Sequence, residues 1–483
     1  MRLVPLLLLT FALAAPAQAA RDFGTKLDAN RLAFTVSNVG SFGYDPGPGE
    51  STFEYPRNSG LHCLFAGGLW VGAKVSGDVR VALAEYAMEW APGPMMGGSA
   101  RPDIPEFRVY KVSASDTTGT AAWMTYAVPQ GAPTSAGGTA PLVLGSQTTW
   151  AIYNDADPAL HTPNAGGTAP LGIEVAQLAW SCEEPTARRS MAFLHYRLRN
   201  RGNATLDSAY VALWGDVDLG GASDDRMASD VPRALVYAYN GDNEDNVYGP
   251  IPPAIGFKLL EGPALAAMNT YIGGADPGTA LATWSLLEGR QVSGAPWVDP
   301  TTLAPTTFVY SGDPVAGTGW IAPLDSELRM MSIAGPFTLA PGDTQSVTWA
   351  IVVAHGWDRL DSVVRMRAKA DSIDLAGAYA PLVPFPIPPL PDPATTLAFA
   401  PPASPQAGPL LLQTVAPVGA HWRLVAYDVR GRRVAHIATG VGTGYVQETA
   451  WTPARDGLRP GVHFVALATD GDRVTHRVVV LGP

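Results

Sequence analysis

The sequence predicts a mainly β protein: a large antiparallel β-sandwich body with one helix near its end, a proline-rich linker, and a smaller β-sandwich at the C-terminus. Three observations carry this expectation. The 51 glycines and 44 prolines among 483 residues cut the chain into short segments, which favours strands and turns over long helices. Strand-turn-strand patterning recurs from Leu32 to about Ala354. A run of seven prolines in thirteen residues, Pro381 to Pro393, then divides the chain, because such a run fits neither a helix nor a central strand.

In chain order, Met1 to Ala20 reads as a secretory signal peptide. It has an early Arg2, an apolar run from Leu3 to Ala15, and the small-residue close Ala17-Gln18-Ala19-Ala20. No later stretch reaches the roughly 18 apolar residues of a membrane span, so no transmembrane segment is expected. The body, residues 21–380, shows strands at Leu69–Val75, Phe107–Val112, Ala192–Leu198, Ala209–Trp214 and Ser346–Val353. In Ala192–Leu198, Phe193, His195 and Arg197 alternate with Ala192, Leu194, Tyr196 and Leu198, the period-two signature of a sheet with one buried face. A helix is expected from Asp358, as N-cap, to about Tyr379, with Leu360, Val363, Val364 and Ile373 at helical spacing. The linker, residues 381–394, should be an extended polyproline-II spacer.

Net charge is −11 overall, but residues 395–483 carry eight Arg against five Asp and Glu, which leaves the body strongly acidic. That balance excludes a nucleic-acid partner, whose phosphates the body would repel. Cys63 and Cys182 are the only cysteines. Sequence leaves open whether they pair, and without a clustered His pair they make no zinc site.

The densest acid cluster is Asp216-Val217-Asp218-Leu219-Gly220-Gly221-Ala222-Ser223-Asp224-Asp225. Alternating acids followed by glycines let a loop curl its oxygens inward, which suits calcium, with Asp216, Asp218, Asp224 and Asp225 as the candidate ligands of a structural ion. It is not an EF-hand, since Gly220 holds the third ligand position and no Glu follows at the twelfth. A second acidic loop, Asn240 to Asn246, is placed to share the site. Solvated turns are the competing reading, because Asp, Asn and Gly favour turns on their own account. Catalytic carboxylates are a third, disfavoured because such pairs usually come from separate strands. Asn154-Asp155-Ala156-Asp157-Pro158 with His161 reads as a surface turn, with metal or general-base work for His161 as the alternative. No His-x-x-x-His, Gly-x-Ser-x-Gly or phosphate-binding loop is present. Among thirteen tryptophans, Trp70, Trp214 and Trp349 fall in strand patterns and should be core. Trp90, Trp297 and Trp320 lie among Pro and Gly, where exposure would suit contact with sugars.

The C-terminal ninety residues carry a resemblance. Tyr427-Asp428-Val429-Arg430-Gly431-Arg432-Arg433-Val434, then Gly461-Val462-His463-Phe464-Val465-Ala466-Leu467, then the strand Val474 to Leu481, resemble the C-terminal sorting domain of type IX secretion cargo and the Ig-like module of flagellar hook-assembly proteins. The family usually has Tyr where His463 stands and often ends in a basic strand terminus, whereas this chain ends Leu481-Gly482-Pro483. In the body, Phe65-Ala66-Gly67-Gly68-Leu69-Trp70-Val71-Gly72, Trp150 to Asp155, and Gly335-Pro336-Phe337-Thr338-Leu339-Ala340-Pro341-Gly342-Asp343 are similar to large exported bacterial proteins that carry such a domain and have no assigned activity. The resemblance implies an Ig-like fold for residues 395–483, engagement of secretion machinery by that domain, and an extracellular or outer-surface location. The expected role is non-catalytic: adhesion, envelope architecture, or contact with an extracellular glycan or surface protein. The alternative is a secreted hydrolase acting on polysaccharide or peptide.

Overall fold

The structure, a computed structural model, describes residues 21–86, 88–95, 100, 105–126, 131–135, 140–161, 166–272, 277–323, 327–373, 395–400, 410–442 and 446–481. The expected signal peptide and linker lie outside the described residues. The body is built on two antiparallel sheets. Sheet I runs in the order Ala91–Pro92, Gln147–Asn154, Ile173–Ser181, Met191–Asn200, Thr344–Ala354, Ala254–Glu261, Leu235–Asn240 and Asp225–Asp230, with Tyr110–Ser113 also paired to Gln147–Asn154. Sheet II runs Leu265–Ile272, Leu328–Leu339, Leu206–Val217, Ala66–Val75 and Ser41–Phe42, with Asp78–Leu83 also on Ala66–Val75. The expected strand at Phe107 begins later, at Tyr110, because Pro105–Phe107 forms a 3-10 turn first.

The sheets pack face to face. Leu194, Tyr196, Val347, Trp349, Ile351 and Phe257 of sheet I meet Leu69, Val71, Val211, Leu213, Met268 and Met330 of sheet II in one core. Alternation in Met191–Asn200 is as expected, but its consequence is different. The opposite face is buried too, with Met191 and Phe193 in a second cluster that takes in Trp150, Trp180, Tyr237, Val363 and Met366. The second cover comes from the helix at the end of the body and from residues between Tyr126 and Leu144. Sheet II is likewise covered outside, where Trp70, Trp214, Met331 and Ile333 pack with Leu286 and Leu287.

Three α-helices are described: α1 (Ala121–Met124), α2 (Ala280–Leu287) and α3 (Arg359–Asp371). The Asp358 side chain caps α3 by accepting from the amides of Leu360 and Asp361 at 2.9 and 2.8 Å. It is shorter than expected. Ser372 closes it, its amide donating to Ala368 and Lys369 carbonyls, and the expected extension over 374–379 lies outside the described residues. The α2 segment has no polar stripe and spans only eight residues, so periodicity gave it no signature. None of the described helices is long and apolar enough to cross a membrane.

Residues 395–481 form two further antiparallel sheets, Ala398–Ala400, Leu410–Val415, Val446–Trp451 and Arg433–Val441, His421–Tyr427, Gly461–Ala468, Arg473–Val480. They enclose their own core of Leu412, Leu424, Ala426, Val465, Leu467 and Val478. His463 is buried, its Nε2–H donating to the Arg459 carbonyl at 3.0 Å. Cys63 and Cys182 are both free and buried, Cys63 between the sheets and Cys182 on the outer face of sheet I.

A side-chain hydrogen bond links the two sheets within the core. Trp349 of sheet I donates its indole N–H to Ser332 Oγ of sheet II at 3.0 Å, both residues being fully buried. Ser332→Ala strands that donor without solvent, so urea melts should show a loss of about 1–3 kcal/mol, against a near-neutral Ser285→Ala on the exposed side of α2.

Candidate functional site

The acids singled out from sequence sit where the Leu206–Val217 strand leaves sheet II. Asp216 is the register partner of Arg329 on the neighbouring strand. Alternation puts both on the outer face, in line with Trp214 and Met331. Both are buried, at 3% and 5% exposure, and they pair at 2.5 Å between Arg329 Nη1 and Asp216 Oδ1. Tyr86 donates its hydroxyl to Asp216 Oδ2. The Arg329 guanidinium lies 5.9 Å from the Tyr86 ring centre, and its other arm reaches exposed Glu327 at 3.1 Å. A buried ion pair of this kind is costly to desolvate, and removing either partner leaves the other charge uncompensated.

Aromatic rings wall the pair. Tyr44, Phe65 and Tyr86 are each half-buried, with ring centres 5.4 to 6.0 Å apart. Tyr86 meets Trp214 edge to face at 5.7 Å, and Trp214 stacks on Trp70 at 6.0 Å. The Trp214 indole donates to the Tyr271 hydroxyl at 2.9 Å. The edge-to-face geometry is the one ring quadrupoles favour. The rings are therefore fixed by packing while the outer three keep an accessible face.

Asp218 lies just beyond. Burial pushes its carboxyl up to about 6, partly opposed by Arg329 and reinforced by Glu327. Its Oδ1 is buried without a hydrogen-bond partner. Asp225, fully buried, is raised well above the ordinary carboxylate range by burial, and Asp224, Asp218 and Asp245 add to the rise. The Leu219 amide donates to its Oδ2 at 3.0 Å, while Oδ1 has no hydrogen-bond partner. The two acidic loops do meet. Asn240 donates to Asp224 Oδ2 at 2.9 Å, and the Gly221 amide to Asp245 Oδ2 at 2.8 Å. A Cβ at Gly220 would stand 2.2 Å from Asp245 Oδ1, so only glycine permits that approach. Thus the four expected ligands occupy different settings. Asp216 is engaged by Arg329 and Tyr86, Asp224 by Asn240, and Asp218 and Asp225 each keep one buried oxygen. Among the described residues, no three His, Cys, Asp or Glu side chains form a group that could hold a metal ion.

The Asp155–His161 stretch turns at the surface through exposed Pro158 and Ala159, as expected, but both of its ends are buried. His161 is buried, its Nε2–H donating to the Asp155 carbonyl at 2.8 Å, with Glu89 Oε2 3.9 Å from Nδ1. The Asp155 end is drawn inward because its carboxylate accepts backbone amides from Leu171, Gly172 and Ile173. Trp90 is fully buried as well, contrary to expectation, whereas Trp297 and Trp320 are half-exposed. Sequence reading missed Arg329. The available signal was a single charge at the head of the apolar run Leu328-Arg329-Met330-Met331, which demands a partner on a neighbouring strand.

No family model matches the chain, and no curated protein matches it. Among solved structures, it is similar to a polysaccharide lyase at a TM-score of 0.19 and 9% identity, over 64% of this chain and 34% of the lyase. The chain thus spans about a third of that protein's length, and a likeness this slight assigns no chemistry here.

Asp218 makes the site pH-sensitive in a defined direction. An acid whose pKa is raised in the folded state contributes stability below its unfolded value, which is lost as pH rises through the folded value. For Asp218 that loss runs from about 4 to about 6. Asp218→Asn should therefore be more stable than wild type by ~1–2 kcal/mol at pH 7.5, and the two proteins should converge at pH 4 in chemical melts.

Proposed function

We propose that the protein is an exported, surface-associated β-protein whose body contacts glycan, with the Asp216–Arg329 end of sheet II as the contact face. One observation carries this reading: a buried Asp216–Arg329 pair walled by the half-exposed rings of Tyr44, Phe65 and Tyr86. Sugar rings offer C–H faces to aromatic side chains and hydroxyls to charged groups, and this corner has three half-exposed rings beside the exposed Glu327 carboxylate, which buried Arg329 holds. Rigidity matters because affinity falls with every side chain that must be ordered on binding. Here the rings are interlocked and the Tyr86 hydroxyl is fixed on Asp216 before any ligand arrives. Export and surface delivery are supported by the signal-peptide-like residues 1–20 and by the resemblance of residues 395–483 to a sorting domain.

A second reading rests on Asp218. A carboxyl held at about 6 beside a buried ion pair has the protonation state a general acid needs near neutrality. On that reading the same corner hydrolyses its glycan, with Asp218 giving a proton to the leaving oxygen.

A glycan array with the full chain should give binding that Tyr86→Ala removes and Tyr86→Phe retains in part. Binding to no glycan, or unchanged binding by a folded Tyr86→Ala, would sink the glycan reading. Release of new reducing ends that declines above pH 6 and disappears in Asp218→Asn would select the hydrolase instead. Fractionating cells and medium with and without residues 395–483 tests delivery separately: the truncated body should stay in the periplasm, and its arrival at the surface or in the medium would refute the sorting role.

A further inference from the structure

The C-terminal domain presents a basic sheet face, separate from the contact face of the body. Its four-stranded sheet, Arg433–Val441, His421–Tyr427, Gly461–Ala468 and Arg473–Val480, contains Arg423, Arg433, Arg473 and Arg477 and no Asp or Glu. One face of that sheet is buried, since Leu424, Ala426, Val465, Leu467 and Val478 lie in the domain core. Alternation sends their strand neighbours outward. Register then lines the outward residues up in rows. Arg423 and Arg473 share one row, on either side of Ala468. Arg433 and Arg477 share another, with Tyr427 and Phe464 between them. The row in the middle holds small residues, Val425 and Ala466 among them. All four arginines therefore stand on the outer face, and all four are exposed.

Their charge is not neutralised. In the body, Arg233 is held by Asp230 and Asp371, and Arg367 by Asp230 and Asp313, at 2.9 to 3.1 Å. On the C-terminal face, Arg423, Arg433 and Arg477 pair with no carboxylate among the described residues, and Asp428 is taken by Arg432 in the turn beyond Tyr427. Arg473 reaches across the face to the Tyr427 ring, with its guanidinium 4.8 Å from the ring centre. Cation–π attraction holds it there without cancelling its charge. Tyr427 and Phe464, register partners, are both half-buried in the face. At the Arg423 end an open depression of about 320 Å³ is lined by His421, Arg423, Thr439 and Asp470 among others. That volume falls within the ~300–1,000 Å³ of small-molecule sites.

We propose that this face binds an acidic polysaccharide, a chain of sugars bearing carboxylates. Four like charges with no acid among their strands make a positive field that draws anions. Guanidinium binds carboxylate through two parallel hydrogen bonds. The four stand over an area roughly 14 by 13 Å, from the strand spacing and the rise per residue, which is the span of a few sugar rings. Between the charges, Tyr427, Phe464 and the low Val425–Ala466 row form an apolar floor for sugar C–H faces. Asp470 in the depression suits sugar hydroxyls, which can donate to it. Nucleic acid is a poorer fit: it places a phosphate every ~3.4 Å of each strand, and the chain as a whole carries −11. A bilayer would call for apolar side chains that protrude and bury, whereas both rings are set into the sheet. The site does not rest on the contact face of the body and goes beyond it. The acidic body would be repelled by such a polymer, so attachment through the C-terminal domain would present the body outward.

The test uses the full chain and surface plasmon resonance on four surfaces: polygalacturonate, neutral dextran, vesicles of phosphatidylglycerol in phosphatidylcholine, and single-stranded DNA. Polygalacturonate should bind, dextran should not, and binding should weaken as salt rises. Arg423→Gln combined with Arg477→Gln should cut affinity roughly tenfold or more, as the loss of charged hydrogen bonds does. Arg455→Gln combined with Arg459→Gln removes the same charge from exposed positions off the sheet and should leave binding nearly unchanged. Tyr427→Ala should weaken binding and Tyr427→Phe should retain it; if Tyr427→Ala does not fold, the two arginine pairs decide. Equal losses in the two arginine pairs would reduce the effect to net charge and overturn the site. No binding to polygalacturonate at low salt, or tighter binding to the vesicles or the DNA, would overturn it too. The Tyr44, Phe65 and Tyr86 face is tested separately by the glycan array, where Tyr86→Ala acts and the arginine pairs do not.

Discussion

Burial on both faces of both sheets is the constraint from which the rest of the body follows. A strand that meets solvent on one side can place polar residues there without penalty. A strand covered on both sides must neutralise each polar group internally. The Met191–Asn200 strand shows the consequence. His195, expected on an open face, is buried, held at about 4 by burial and by Arg197, and bonded through Nδ1 to Thr348 Oγ1 at 2.9 Å. Asn200 closes the same strand by donating to the carbonyls of Ala204 and Leu339. The Asp155 carboxylate accepts from three amides, Leu171 to Ile173, where the Ile173–Ser181 strand begins.

At the Asp216 corner it is carboxyls that strain the rule. Asp216 and Arg329 neutralise each other, but Asp218 and Asp225 keep oxygens that no described group satisfies. Two carboxyls are thus under-satisfied beside a cluster of half-exposed rings, and elsewhere in the interior the Trp90 and Trp150 indoles and the Tyr196 hydroxyl also lack a hydrogen-bond partner. Such local cost is tolerated where a binding or reacting group needs it, and strongly perturbed carboxyls concentrate at such places.

Much of this was legible in the sequence, for reasons that differ by element. The cores of Ala66–Val75, Leu206–Val217 and Thr344–Ala354 follow from the apolar and β-branched residues that dominate these segments, and Trp70, Trp214 and Trp349 are as buried as their strands imply. Asp358 announced α3 because a cap is a local interaction, encoded within three residues. What stayed hidden depends on partners distant in sequence. Arg329 means little until register brings it to Asp216, 113 positions away. His161 resembles a turn residue until Glu89 is placed against it. Asn269 is an unremarkable polar residue in a strand until three segments converge on its amide. The acid-rich loops were visible as a composition, but their division between an ion pair, an amide partner and two unsatisfied oxygens was not.

The separation of the two cysteines has a consequence for how the protein is made. Cys63 lies in the inter-sheet core and Cys182 under the outer cover, so a layer of sheet stands between them. Burial pushes both thiols up and keeps them in the unreactive protonated form. No covalent bridge sets the chain's fold, and no oxidoreductase is needed to reach it. Reducing and oxidising surroundings therefore leave the covalent structure of the body the same.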